Sequence, residues 1–401
     1  MADLVIRAGG DDIALMERVL GAAPSCRPNR VVVDAHAARG TDRIAAAARR
    51  AGIPFLVDPQ THFLQDFQHA TDSWAQLPFG DPRRCTPADL LLPRRLDVLA
   101  AAVVEHQLGC GATAIIAPYV HLDRPDNGWA DVQVQLWRAT GRHLEQQGIK
   151  VEVVAVIALG WRLLDRSTWP AALWPLIAAL HDDLNPAELA LAASKVDQGV
   201  RPVNRLASFV AVIRRLRRDW PVLAWQQGLL GEAAVAAGAA GYECGIGRRE
   251  HCDLLAHMQT RRVPGPAPNR TARGVYTAAL RRSVPKRSLA EVLRSEPRIA
   301  AQLTCLDAAC CPAGQAALLS DTRAHAIAAR RRGLDRVTQA AHPAWRWNHL
   351  ACEATAALDL AVQINTAAQR GLKITRIDIG ALEATREYAD NRRQSLRRHA
   401  A

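Results

Sequence analysis

Residues 221–250 read PVLAWQQGLLGEAAVAAGAAGYECGIGRRE, two short apolar runs separated by a stretch of small residues. The runs Pro221–Trp225 and Gly241–Gly245 have the length and composition of buried strands, and Gly228–Gly241 between them is typical of a closely packed helix. Strands that alternate with helices pair in parallel, because the chain crosses over between them. This stretch therefore predicts one β/α unit of a parallel sheet.

The same alternation extends along the chain. Further strands are predicted at Arg30–Ala35, Pro54–Val57, Ala112–Ala117, Val151–Ala158 and Ala187–Ala193, with a weaker eighth strand at Gly274–Leu280. Helical patterns separate them at Thr41–Ala51, Leu96–Leu108, Trp129–Gln147 and Val203–Arg218. Eight such units within about 280 residues favour an α/β fold of the closed (β/α)8 TIM-type barrel over a doubly wound sheet. We therefore expect the barrel at residues 1–298 and a C-terminal zinc-binding helical module with a basic, fraying tail at residues 299–401.

The composition is that of a globular protein, with 401 residues of which 49% are apolar. It excludes disordered, collagenous and coiled-coil proteins. No apolar run approaches the ~18 residues that span a bilayer, and the N-terminus lacks a signal pattern. We therefore expect a cytoplasmic protein with no membrane partner.

The charge is strongly basic, with a formal net charge of +12. Residues 201–298 carry 18 basic and 7 acidic side chains, and a proline-rich loop at residues 261–271 is predicted to be exposed. A concentrated basic region is typical of proteins that bind phosphate backbones, although a solvated arginine surface is the alternative. The sequence therefore predicts a nucleic-acid partner, DNA or RNA, with contacts from Arg248, Arg249, Arg261 and Arg262.

Polar residues at strand ends are the candidates for chemistry, since catalytic groups of a barrel lie there. Asp58 ends the second predicted strand, and Glu243 lies within an apolar run. The alternatives are a turn or cap role for Asp58 and pairing with Arg248 or Arg249 for Glu243. Two carboxylates across a barrel mouth suit cleavage of an N-glycosidic bond, because one can stabilise a cationic centre while the other shuttles a proton. Polar residues at other strand ends are interpreted as structural: Asp34 and His121.

The cysteines Cys305, Cys310 and Cys311 lie within seven residues. In a reducing compartment this grouping favours zinc over a disulfide, and the absence of a catalytic carboxylate nearby in sequence favours a structural site. The fourth ligand comes from downstream. His325 is the nearest histidine, and the alternatives are His349 and Cys352.

The order of these features resembles the tRNA-guanine transglycosylase superfamily, and within it the branch that inserts 7-deazaguanine into DNA. FLVDPQTHFLQ at residues 55–65 is similar to the family's strand that ends in Asp followed by SGGFQ. Residues 222–250 are similar to the stretch that leads to its nucleophilic Asp, whose place Glu243 occupies. NHLACEATAALDLAVQIN at residues 348–365 is similar to its closing helix.

The resemblance implies base exchange at a purine of DNA or tRNA, in which a 7-deazaguanine-type base is inserted. Glu243 would be the covalent nucleophile, and Asp58 would handle protons or orient the base. The family's zinc motif CxCxxC is Cx4CC here, and its zinc histidine would fall on Ile364, so His325 is chosen instead. The alternative functions are a hydrolase that removes a base, and a non-catalytic barrel that binds nucleic acid or a partner protein.

Overall fold

Runs of Val, Ile, Leu and Ala form the parallel strands of a nearly closed barrel in a computed structural model, which describes residues 2–165, 167–262 and 273–400, with side chains through residue 395. The predicted (β/α)8 class is confirmed. The strands of its sheet are β1 Asp3–Ala8, β2 Arg30–Asp34, β3 Phe55–Asp58, β4 Ala114–Ile116, β5 His121–Leu122, β6 Glu152–Leu159, β7 Glu188–Ala193, β8 Val222–Trp225 and β9 Gly241–Gly245.

The strands follow one another around the barrel in the order β3-β2-β1-β9-β8-β7-β6-β4, with the short β5 beside β6. All of these pairs are parallel. Between β3 and β4 the ladder is replaced by single contacts: the Thr113 N–H donates to the Phe55 carbonyl at 2.8 Å, and the Thr113 hydroxyl accepts from the Phe55 N–H at 2.9 Å. Hydrogen bonds of individual residues therefore join the barrel at its remaining seam.

The eighth barrel strand is β1, whereas the strand predicted at Gly274–Leu280 is shorter than expected and lies outside the barrel sheet. Val275–Thr277 (β10) pairs antiparallel with Arg282–Val284 (β11) in a separate hairpin. The two strands are connected by a 3-10 turn at Ala278–Leu280 and by Arg281, whose φ is +55°. β1 was missed because Asp3 and Arg7 interrupt its apolar pattern.

Helices cover the outside of the barrel, and the predicted helical patterns are confirmed. Pro202–Leu216 begins with Pro, whose missing N–H is not needed there, and it buries Leu206, Phe209 and Ile213 on one face. The helices through residue 262 are Ile13–Leu20, Ala35–Ala38, Asp42–Arg50, Pro87–Leu90, Pro93–Gly109, Trp129–Gln146, Trp161–Asp165, Trp169–Ala179, Pro202–Leu216, Gly231–Ala237 and Leu254–Thr260.

The C-terminal part is helical and has its own apolar cluster. Its helices are Lys286–Ser295, Pro297–Leu303, Gln315–Ser320, Thr322–Gln339, Pro343–Gln369 and Gly380–Ala400. The cluster extends from Val275 to Ile377 and so includes residues before 299. The domain boundary at 298/299 stays a prediction. The basic tail, which was expected to fray, is helical through Ala400.

Most of the predicted proline-rich loop, from residue 263 onward, lies outside the described residues. Within the described part of the chain, no helix has both the length and the apolar character needed to cross a membrane.

Candidate active site and metal centre

Strand alternation places four charged side chains inside the barrel. Val5, Val32 and Leu56 belong to the interior cluster of β1, β2 and β3. Since side chains two residues apart point to the same face of a strand, the interior positions that follow them are Arg7, Asp34 and Asp58. Glu243 of β9 is buried in the same place, because β9 pairs with β1.

Arg7 is the hub of this group. Its Nε donates to Glu243 Oε1 at 3.1 Å, one terminal nitrogen donates to Asp34 Oδ1 at 2.5 Å, and the other donates to Asp58 Oδ2 at 2.9 Å. The nitrogen that contacts Asp58 also lies 3.3 Å from Glu243 Oε2. The two predicted catalytic carboxylates are therefore brought together, and the same guanidinium group bridges them.

Both carboxylates have further partners. Asp58 Oδ1 accepts from the Tyr119 hydroxyl and from the Gln60 N–H, each at 3.0 Å. Glu243 Oε2 accepts from the Gln226 N–H at 2.9 Å. Glu243 therefore pairs with Arg7, whereas the sequence had offered Arg248 or Arg249 as its alternative partners.

Asp34 is the third carboxylate of the group, and sequence reasoning had treated it as structural. Its second oxygen accepts from Arg249 at 2.6 Å. Burial alone would raise its pKa, but Arg249 and Arg7 outweigh burial and lower the pKa of Asp34. For Glu243 the balance is reversed, because burial raises its pKa and Arg7 only partly offsets the rise.

The electrostatic balance of the group leaves one excess negative charge when all three carboxylates are ionised, since among the described residues the salt bridges to them come from Arg7 and Arg249. Such a site favours a cationic species and disfavours an anion. The surrounding histidines add no positive charge at neutral pH, because burial lowers the pKa of three of them to about 4: His36, His121 and His257.

The mouth of the barrel is covered by residues 246–262, here called the mouth segment. Cys252 and Leu254 pack into the interior cluster together with Tyr119 and Trp225. The Cys252 carbonyl accepts from the Lys195 N–H at 2.8 Å. Asp58 and Glu243 are both 0% exposed, so a substrate reaches them only after the residues that cover them have moved.

The predicted nucleic-acid arginines have acidic partners. Arg249 contacts Asp34, Arg261 contacts Asp72 and Arg262 contacts Asp66. Arg248 lies 3.6 Å from Asp11, and it is about two-fifths exposed. These arginines hold the mouth segment to the barrel, and their binding of nucleic acid stays a prediction.

The predicted cysteine cluster forms a compact group of ligand atoms. The sulfurs of Cys305, Cys310 and Cys311 and one His325 nitrogen all lie within 4.8 Å of one another. The Sγ atoms of Cys310 and Cys311 are 3.9 Å apart, and each is 3.3 Å from His325 Nδ1. Tetrahedral zinc requires sulfur–sulfur separations of about 3.8 Å, so this set of three sulfurs and one nitrogen can hold a metal ion and is consistent with zinc.

His325 is oriented by a backbone partner. Its Nε2 lies 2.9 Å from the Tyr276 carbonyl, an acceptor, so Nε2 carries the proton and Nδ1 is left as the ligand atom. The alternatives His349 and Cys352 do not belong to the cluster. Ile364 packs in the apolar cluster that also contains Cys311.

Sequence reasoning missed Arg7, Gln60 and Gln226. Arg7 could have been found if DLVIRA had been identified as a strand with Val5 and Arg7 on one face. The glutamines had no comparable signal, because nothing local distinguishes them from surface residues. Comparison with protein-family models and with curated proteins found no match to this chain.

Proposed function

We propose that the chain exchanges a purine base of DNA or tRNA through a covalent carboxylate intermediate, with a 7-deazaguanine-type base as the incoming group. The observation that supports this most is the meeting of Asp58 and Glu243 inside the C-terminal end of the barrel. Barrel enzymes carry their catalytic groups at this end.

The chemistry follows from the charges. Glu243 attacks the anomeric carbon, so that a carbon–oxygen bond forms as the bond to the base nitrogen breaks, and the departing base takes a proton. The excess negative charge of the site stabilises the positive charge that develops on the sugar. The incoming base then reverses the step, loses its proton and releases Glu243. Asp58, held by Tyr119, is the group placed to relay that proton from water to the departing base and to return the proton of the incoming base to water.

Glu243 Oε1 accepts one hydrogen bond, from Arg7 Nε, and so keeps a lone pair for the new bond, whereas Oε2 accepts from both Arg7 and Gln226. Two rearrangements must precede attack. The mouth segment must withdraw, and a base in a duplex must be flipped out at a cost of a few kcal/mol. The basic residues of the mouth would then be available to phosphates.

The metal centre has a structural role in this proposal. Cys305, Cys310, Cys311 and His325 would hold zinc with all four positions filled by protein, which is typical of structural sites. Arg332 lies 3.6 Å from the Cys305 sulfur and reduces the negative charge of three thiolates. The site would anchor the C-terminal helices beside the barrel.

A non-catalytic binding barrel is the second candidate. It is favoured by two observations: both oxygens of Glu243 already accept hydrogen bonds, and the carboxylates at the mouth of the barrel are fully buried. In this candidate the ion pairs of Arg7 with Asp34, Asp58 and Glu243 serve only to stabilise the fold, and nucleic acid or a partner protein binds on the outside of the barrel.

A denaturing gel separates the candidates. The full chain is incubated with labelled DNA or labelled tRNA, with and without 7-deazaguanine bases, beside Glu243→Gln. We expect a covalent band or base incorporation that the variant loses while its binding persists. Binding with neither product on either polymer would contradict exchange, and free base released without an acceptor would indicate the hydrolase.

The salt dependence of binding tests whether the basic region contacts the phosphates of a nucleic acid. Contacts to several phosphates predict an affinity that falls steeply between about 50 and 200 mM salt. An affinity that hardly changes over this range would exclude the basic region as the docking surface.

A further inference from the structure

Two glutamines flank the carboxylate pair in the same way. Gln60 follows β3 and Gln226 follows β8, and both have left-handed backbones, with φ of +51° and +57°. The N–H of Gln60 donates to Asp58 and that of Gln226 donates to Glu243. Non-glycine residues with left-handed backbones are uncommon and concentrate at functional sites. Each glutamine is thus tied to one carboxylate.

The side chains of these glutamines are buried, and polar atoms of both lack partners. Gln60 is 2% and Gln226 1% exposed. Among the described residues, Oε1 of Gln60 and both amide atoms of Gln226 have no hydrogen-bond partner. Gln107 shows the ordinary arrangement: its Oε1 accepts from the Ile116 N–H, and its Nε2 donates to the Ile116 carbonyl, both at 2.8 Å. Because an unpaired buried amide destabilises the folded state, the free amides require an explanation.

We propose that Gln226, assisted by Gln60, reads the hydrogen-bonding edge of a neutral heterocyclic base bound beside Glu243. A primary amide offers one acceptor next to two donors, so it pairs with an edge that presents a donor beside an acceptor. The proposal rests on the proposed function and identifies specificity-determining residues of that site.

The charge of the site disfavours anionic ligands. The excess negative charge around Arg7 disfavours a phosphate or a carboxylate at this depth, whereas a neutral base has no such penalty. The base would enter when the mouth segment withdraws. Gln60 and Gln226 would then gain the partners that they lack in the closed state.

Base binding and thermal unfolding test the proposal together. Binding of free guanine, a 7-deazaguanine, adenine and cytosine to the full chain is measured by calorimetry for the unmodified protein, Gln226→Leu and the control Gln107→Leu. We expect Gln226→Leu to bind the preferred base roughly ten- to hundredfold more weakly. Its melting temperature should be equal or higher, because an unpaired amide has been removed. Gln107→Leu should melt lower and bind normally below its transition.

The outcomes against the proposal are distinct. If no base binds the unmodified protein, if Gln226→Leu binds within twofold of it, or if Gln226→Leu melts as low as Gln107→Leu, the proposal is overturned. If Gln226→Leu does not fold, Gln226→Asn replaces it, because Asn tolerates the left-handed backbone and shortens the reach of the amide. Its weaker binding would support the proposal, and unchanged binding would overturn it.

Failure of the proposed function is distinguishable from failure of this inference. Base binding that depends on Gln226, without any covalent product, would support the role of Gln226 in reading the base and would contradict the exchange reaction. If Gln226→Leu forms as much covalent product as the unmodified protein and binds the base with the same affinity, the exchange reaction is supported and this role of Gln226 is contradicted.

Discussion

Substitution of Arg7 by Met should destabilise the protein more than any single surface change. The variant keeps most of the side-chain volume but removes the donor shared by Asp34, Asp58 and Glu243. Arg7 is 4% exposed, so water does not replace it. Loss of one partner of a buried ion pair typically costs about 3–5 kcal/mol, because the remaining charge is uncompensated.

Urea unfolding at pH 7 measures this loss. Arg18→Met is the matched control, because Arg18 and its partner Asp321 are exposed and such pairs contribute about 0–1 kcal/mol. Arg7→Lys separates charge from geometry: it restores the positive charge but cannot reach three carboxylates at once. We expect its free energy of unfolding to lie between those of the unmodified protein and Arg7→Met.

The pH dependence of the free energy of unfolding tests whether uncompensated carboxylates cause the loss of stability in Arg7→Met. Without Arg7, the pKa of Glu243, which burial already raises, should rise further. A carboxyl with a raised folded pKa destabilises above that pKa and has no such effect below its unfolded pKa of about 4.3. The difference in free energy of unfolding between Arg7→Met and the unmodified protein should therefore become smaller as the pH falls from about 8 to 5. A loss below about 1 kcal/mol, or a difference that is the same at both pH values, would refute the reasoning.

Three further predictions concern other sites. Cys310→Ser should reduce bound zinc from one per chain to well below one and lower the melting temperature, measured by metal analysis and calorimetry, and unchanged stability would contradict a structural site. Burial lowers the pKa of His121 to about 4, so this histidine costs no stability above about pH 6.5, where it is neutral in both states, and destabilises the folded state increasingly as the pH falls toward 4. His121→Gln should flatten the measured stability in that window, and an unaltered slope would count against this reasoning. Gly231→Ala should cost several kcal/mol in chemical denaturation, because its Cβ would lie 2.2 Å from the Tyr242 ring, whereas a Cβ at Gly10 meets nothing within 4 Å and Gly10→Ala should change little; equal effects would exclude the clash.

Local sequence patterns were sufficient to predict the features that depend on residues close together in the chain. Helix and strand periodicity predicted seven of the barrel strands, because buried strands and amphipathic helices are defined by neighbours in sequence. The same holds for Cys305, Cys310 and Cys311, whose spacing within one short loop allows few arrangements other than a cluster. Asp58 and Glu243 were found because each carboxylate ends or interrupts an apolar run.

β1 shows where local patterns fail. Its six residues include Asp3 and Arg7, so the sequence lacks the continuous apolar run of the other strands. Asp3 accepts from Arg30 at 2.8 Å, and Arg7 is neutralised inside the barrel. Neither compensating partner can be identified before the chain has folded.

The sequence by itself determined the alternation of strands and helices, the cysteine cluster and the two carboxylates at strand ends, because each depends on spacing along the chain. Only the tertiary structure decided that β1 lies between β2 and β9, so that Arg7 bridges Asp58 and Glu243. It also decided that Oε1 of Gln60 and both amide atoms of Gln226 are buried without a partner among the described residues. The physical reason is that ion pairing and desolvation depend on distance in space, which barrel closure sets between residues far apart in sequence.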